Sequence, residues 1–124
     1  MLKMKMKQFL TAVAVSSACV AAPSVAFADN HGASAIEEGK ELSFGRSKGN
    51  CLACHMIQGA NMPGNIGPAL VAMEMRYPDK QKLYDKIWGT PETIVEDSMM
   101  PHFGANGILS DEEIQKITDY IYTL

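Results

Sequence analysis

The sequence predicts an all-α fold built as one small domain of short helices. Apolar residues recur at three- and four-residue spacing in several separate stretches. Proline, glycine and capping side chains punctuate the chain between those stretches. No alternation of apolar and polar residues of the kind a half-buried strand needs flanks the paired cysteines at 51 and 54. At 124 residues, 47% hydrophobic and 20% charged, the chain has the length and balance of a single globular domain. Eleven basic residues against 14 acidic ones exclude the basic stripe of a nucleic-acid binder. Three cysteines are too few for a disulfide-stapled framework.

Residues 1–28 read as a secretory signal peptide that is removed, leaving 29–124 as the domain. Lys3, Lys5 and Lys7 form the positive start, Phe9 to Val15 opens an apolar stretch, and Ala26-Phe27-Ala28 supplies small residues for cleavage after Ala28. Ser16, Ser17 and Pro23 interrupt the apolar stretch well short of the ~20 residues a spanning helix needs, which counts against a retained anchor. Lipid attachment at Cys19 is the other alternative, and Ser16-Ser17-Ala18 is a poor context for it. Cleavage removes three lysines and no acid, so the exported domain is more acidic than the whole chain.

Ala35 to Phe44 sets Ile36, Leu42 and Phe44 among charged residues as a short amphipathic helix. Asn61 to Gly67, with two glycines, two asparagines and Pro63, is loop. Pro68 opens a short helix through Ala69, Leu70, Val71 and Met73 that Pro78 stops. Asp79 to Trp88 groups Leu83, Tyr84, Ile87 and Trp88 on one face, and Gly89 terminates it. Thr90-Pro91-Glu92 has the cap, proline and acid of another helix start, with that helix ending before Met99. Ser110-Asp111-Glu112-Glu113 is a capping box that launches Ile114, Ile117, Tyr120, Ile121 and Leu124 as a terminal helix.

Between the first two stretches stands Cys51-Leu52-Ala53-Cys54-His55, the C-x-x-C-H pattern of covalent c-type haem attachment. Two thiols one turn apart reach the two vinyl groups on one porphyrin edge. The adjoining His55 then offers an imidazole nitrogen to the iron. A thioredoxin-like pair needs a βαβ setting that is missing here, and a structural zinc site needs a second ligand pair. A prosthetic group also supplies the stability that so small a core lacks.

The opposite axial position has several candidates. Met56 follows the proximal histidine on the wrong face, His31 lies in the polar N-terminal tail, and Met73 and Met75 sit at helical spacing that suits core packing. Met62 in the glycine-rich loop is a weaker rival to Met99, Met100 and His102. Pro101 holds the residue before it extended, so neighbouring Met99 and Met100 project to opposite sides, and the pre-proline Met100 is favoured. Met99 and His102 remain alternatives. Thioether ligation fills the site where a small substrate would bind and raises the potential relative to bis-histidine ligation, which describes an electron carrier.

The cysteine–histidine motif, Gly67-Pro68, Met100-Pro101 and the terminal helix together resemble class I cytochromes c. More closely, Lys48 to His55, the Pro63-Gly64-Asn65-Ile66-Gly67-Pro68 block, Tyr77-Pro78-Asp79, Ile87-Trp88 and Met100-Pro101-His102-Phe103-Gly104 resemble the SoxX family, over about Glu38 to Leu124. That family comprises the monohaem subunits of the SoxAX cytochromes of periplasmic thiosulfate oxidation. The resemblance implies a class I cytochrome c-like domain wrapped around one haem c. Cys51 and Cys54 would be its anchors, His55 and Met100 its iron ligands, and the Pro68 carbonyl would accept from the His55 ring. It further implies a heterodimer with a SoxA-like haem subunit, a SoxYZ-like carrier protein whose cysteine is coupled to thiosulfate, and a downstream electron-acceptor cytochrome. With Cys51 and Cys54 consumed, residues 29–124 keep no thiol, so the sulfur chemistry falls to the partner and this chain takes the electrons. A free-standing periplasmic electron shuttle, its acidic surface steering it to basic partners, is the alternative role.

Overall fold

Among the described residues four α-helices form, and the two longest after the cysteine–histidine motif start at a side-chain cap. The four are α1 (Asn30–Phe44), α2 (Met73–Arg76), α3 (Lys80–Trp88) and α4 (Asp111–Tyr122), with 3-10 turns at Cys51–Ala53 and Pro91–Thr93. The computed structural model describes residues 30–124. The signal peptide expected over 1–28 and Cys19 therefore lie outside the described residues. No described helix is long and apolar enough to cross a membrane.

α4 forms as the capping box predicts. The Ser110 hydroxyl accepts from the Glu113 N–H and the Glu113 carboxylate accepts from the Ser110 N–H, satisfying two helix-end donors at once. Ile114, Ile117, Tyr120 and Ile121 make its inner face. α3 is capped by the Asp79 carboxylate, which accepts from Gln81 N, and ends at Gly89, whose φ of 88° suits glycine. Leu83 and Ile87 are its buried positions.

α1 starts earlier than the Ala35 boundary and packs chiefly on α4. Gly39 permits the crossing: a Cβ there would stand 1.9 Å from the Lys116 carbonyl oxygen. Phe44 meets Tyr120 edge to face at 6.1 Å beside that crossing. Buried Ser43 and Thr118 return their hydroxyls to the Gly39 and Ile114 carbonyls, so neither costs an unpaired polar group. Ion pairs of Lys116 with Glu38 and Glu112, and of Lys48 with Glu113, tie the outer edges.

Two predicted helices differ. The stretch from Pro68 does not wind into a helix, because its backbone groups find tertiary partners. Leu70 N–H donates to the Met56 carbonyl, Ala69 O accepts from Arg76, and Ala72 adopts φ 50°, so helix begins only at Met73. The Thr90-Pro91-Glu92 start yields one 3-10 turn and stops there. Thr90 makes no side-chain cap, residues 94–99 are all exposed, and Asp97 has φ 62°. A helix whose apolar side chains, here Ile94, Val95 and Met99, are left uncovered has little to stabilise it. The core gathers α3, α4, Met73, Phe103 and Leu109 around Ile57, which pairs with Leu70 in an isolated parallel bridge.

Candidate functional site

The cysteine–histidine segment is fixed from both ends. Behind it, the turn after α1 is held by Gly45 N–H to Glu41 O, Gly49 N–H to Leu42 O and Asn50 N–H to Gly45 O. Asn50 then turns left-handed, with φ 47°, into the 3-10 turn that carries Cys51 and is capped by Cys54. The Cys51 carbonyl accepts from Cys54 N–H at 3.2 Å and from His55 N–H at 2.8 Å, which closes that turn and brings the imidazole next to the thiols.

In front of it runs the 61–70 loop. Gly64 N–H donates to Leu52 O, Gly67 N–H to Cys54 O and Leu70 N–H to Met56 O, at 2.7, 2.8 and 2.8 Å. Three alternate carbonyls, two in the motif and one just after it, are thus taken by one strap running alongside. The glycines are required by closeness. A Cβ on Gly64 would lie 2.2 Å from the Ala53 carbonyl oxygen, and one on Gly67 would lie 2.5 Å from His55 Cε1. The sequence marked this stretch as loop and missed its role as the wall that holds the histidine; its alternation of glycine and proline was the available signal.

His55 Nδ1 stands 2.7 Å from the Pro68 carbonyl oxygen. A carbonyl only accepts, so Nδ1 carries the proton and Nε2 keeps its lone pair for a metal, the arrangement typical of a ligating histidine. Cys51 and Cys54 are both half-buried free thiols. Burial pushes the Cys51 thiol up to about 11, against the opposing hydrogen bond of Ser43 and with a smaller upward push from Cys54. Cys51 thus stays protonated at neutral pH, unlike the acidic thiol of a redox-active pair. Ser43, buried at the next-to-last position of α1, is a neighbour that sequence reasoning did not single out.

The second part of the site is the segment around Met100-Pro101. Met100 is half-buried against the core while Met99 is 76% exposed, the opposed placement that extended backbone before proline produces. His102 is half-buried beside Gly89 and lines a small cleft with Met100, Thr93 and Ile94. Met62 is 92% exposed. Met73 is buried with its sulfur 3.4 Å from the Arg76 guanidinium, a core residue as its spacing suggested. Met75 departs from that expectation: it is 82% exposed.

The donor set fits haem c. Two thiols and an imidazole with a free Nε2 stand in one turn, and apolar Met62, Ile66 and Val71 lie exposed in the adjoining segment. Among the described residues no cluster of three or more histidine, cysteine or acidic side chains offers a rival metal site.

The cytochrome c family profile matches residues 36–124, which includes the motif, the glycine strap, the Met100 segment and all of α2 to α4. A protein of Aquifex aeolicus (strain VF5), described as an uncharacterized lipoprotein, is 38% identical over 79 residues, covering 63% of this chain. The aligned region is 38% of that relative's length, so the chain spans well under half of it.

Proposed function

The chain belongs to the cytochrome c family, and from that premise we propose that it is the electron-accepting subunit of a SoxAX-like complex of the periplasm. The all-α class I fold, the covalent haem c on Cys51 and Cys54, and a role in electron transfer come with the family. Bound haem c supplies a one-electron iron couple. His55 would give its Nε2 to the iron, while Pro68 holds the ring proton at Nδ1, which fixes the imidazole plane and makes it a better donor. Met100, half-buried where Met99 is exposed, would supply the thioether as the second iron ligand, which would leave no position for a substrate.

The observation that carries the assignment to SoxAX is the pair of sequence blocks Pro63-Gly64-Asn65-Ile66-Gly67-Pro68 and Met100-Pro101-His102-Phe103-Gly104. Joining a carrier-protein thiol to thiosulfate forms an S–S bond and releases two electrons and the thiol proton. Residues 29–124 hold no thiol beyond the two that anchor the haem, so that bond forms on the partners, a SoxA-like subunit acting on a SoxYZ-like carrier. This chain relays the electrons to an acceptor cytochrome. Export belongs to the same proposal, and a relative described as a lipoprotein supports it; removal of residues 1–28 is proposed from the sequence alone.

The test is a gentle pull-down of the tagged protein from its native periplasm, with haem staining of the captured chains. A stoichiometric second haem protein, and haem reduction that requires both thiosulfate and the carrier protein, are expected. A lone monohaem chain would overturn the complex and favour the free shuttle, to which the net charge of −3 also lends itself.

A further inference from the structure

The segment that follows Met100-Pro101 is bound to the end of α3. Gly104 N–H and Ala105 N–H both donate to the Trp88 carbonyl, at 3.0 and 3.1 Å, and Phe103 N–H donates to Ile87 O at 3.3 Å. These carbonyls belong to the last turn of α3, where no further helical N–H follows to take them. The fit is equally close in side chains. A Cβ on Gly104 would lie 2.3 Å from both Cδ1 and Nε1 of Trp88, so the loop backbone rests directly on the indole edge.

The indole in turn is held from outside. Its Nε1–H donates to Asp111 Oδ1 at 2.9 Å, across 23 residues of chain. Asp111 is the first residue of α4, where the unpaired N–H groups of the helix start favour a carboxylate. Tyr84, one turn earlier on α3, also feels that carboxylate: burial first, and then the Asp111 charge, push its phenol up.

We propose that Trp88 and Asp111 are positioning residues for the axial Met100, a latch that fixes the 102–105 segment and so presses the thioether toward the iron. This rests on Met100 being the ligand. Neither residue touches the iron; each acts through the loop. The α4 start holds the indole, the indole holds Gly104, and Pro101 transmits that fixed position to the residue before it. Phe103, buried in the core, anchors the same segment from the inner side.

The experiment uses the haem-loaded full chain and reads the weak long-wavelength band of thioether-ligated ferric haem against pH. Met100→Ala is the control for the ligand itself: the band must vanish in it, and a band that survives there would refute Met100 ligation, not the latch. With that control satisfied, Asp111→Ala should lower the pH at which half the thioether ligation is lost by about one unit, a ten-fold easier displacement. Asp111→Asn, which keeps an acceptor oxygen, should restore most of the shift. Trp88→Phe keeps a ring and removes the N–H, and serves if Asp111→Ala fails to accumulate. Amide exchange at Gly104 and Ala105 should quicken in the same variants. A midpoint unchanged from wild type in both Asp111→Ala and Trp88→Phe would overturn the latch, as would a lowered midpoint that Asp111→Asn does not rescue.

Discussion

Gly67→Ala tests the strap that holds the proximal histidine. The added methyl would sit 2.5 Å from His55 Cε1, 2.7 Å from Nδ1 and 3.0 Å from Nε2, against the whole of one ring edge. Comfortable carbon–carbon contact begins near 3.5 Å, so ring and strap must separate by about 1 Å. The strap cannot retreat freely, because Gly67 N–H is bonded to Cys54 O at 2.8 Å. The ring cannot retreat either without stretching its 2.7 Å bond to Pro68 O, and a further ångström ends that bond. Overpacking of a close-fitted site costs about 1–3 kcal/mol, and losing the hydrogen bond adds about 1 kcal/mol. The expected total is about 2–4 kcal/mol, felt both as lower stability and as a displaced imidazole. Denaturant titration of the haem-loaded protein reads the first, and the ferric absorption and spin state read the second. Gly32→Ala is the control, because nothing lies within 4 Å of the added carbon and the site is in α1. It should leave the spectrum alone and stabilise by up to about 1 kcal/mol. A Gly67→Ala protein with the wild-type midpoint and spectrum would refute the reading of the strap as a fitted wall.

Gly39→Ala should be the most damaging substitution away from the haem site, since its methyl would stand 1.9 Å from the Lys116 backbone oxygen and force α1 off α4. A loss of at least about 3 kcal/mol in chemical unfolding, or no folded protein in expression trials, is expected from so large an overlap. Ser110→Ala removes one half of the α4 capping box and should cost about 1 kcal/mol. In a domain of this size that is a fall in Tm of roughly 4–8 °C, and a scan showing no fall would count against the cap. Lys48, hydrogen-bonded at 2.5 Å, holds the Glu113 carboxyl below the usual glutamate range, with Ser110 assisting. A depressed carboxyl stabilises the fold fully above the unfolded value near 4.3 and loses that contribution as pH falls through the lower folded value. Lys48→Met should therefore flatten the decline of Tm as pH falls below the unfolded value near 4.3 relative to wild type, and parallel acid limbs would contradict this.

Much of the helical frame is written locally. The capping box of α4, the Asp79 cap and Gly89 stop of α3, and the apolar spacings of both helices are short-range signals that the folded chain follows. The haem attachment motif is local in the same sense, because three residues within five positions suffice for the chemistry. The two misread helices failed where long-range partners intervened. After Pro68 the backbone is claimed by Met56 and Arg76, and after Pro91 the apolar Ile94, Val95 and Met99 stay exposed. Met75 was misplaced for the same reason: helical spacing says which side chains share a face, not whether that face is covered.

By itself, then, the sequence determined the class, the cofactor and the residues that attach it, because helix caps, apolar periods and C-x-x-C-H act over a few residues. Only the tertiary structure decided what holds those residues in place. The strap of Gly64 and Gly67 against the motif and the indole of Trp88 between Gly104 and Asp111 join segments distant in sequence, as does the Pro68 carbonyl on the His55 ring, which the family resemblance alone implied. Such contacts depend on sub-ångström clearance between backbones and rings. Composition and periodicity carry no record of that clearance until the chain has packed.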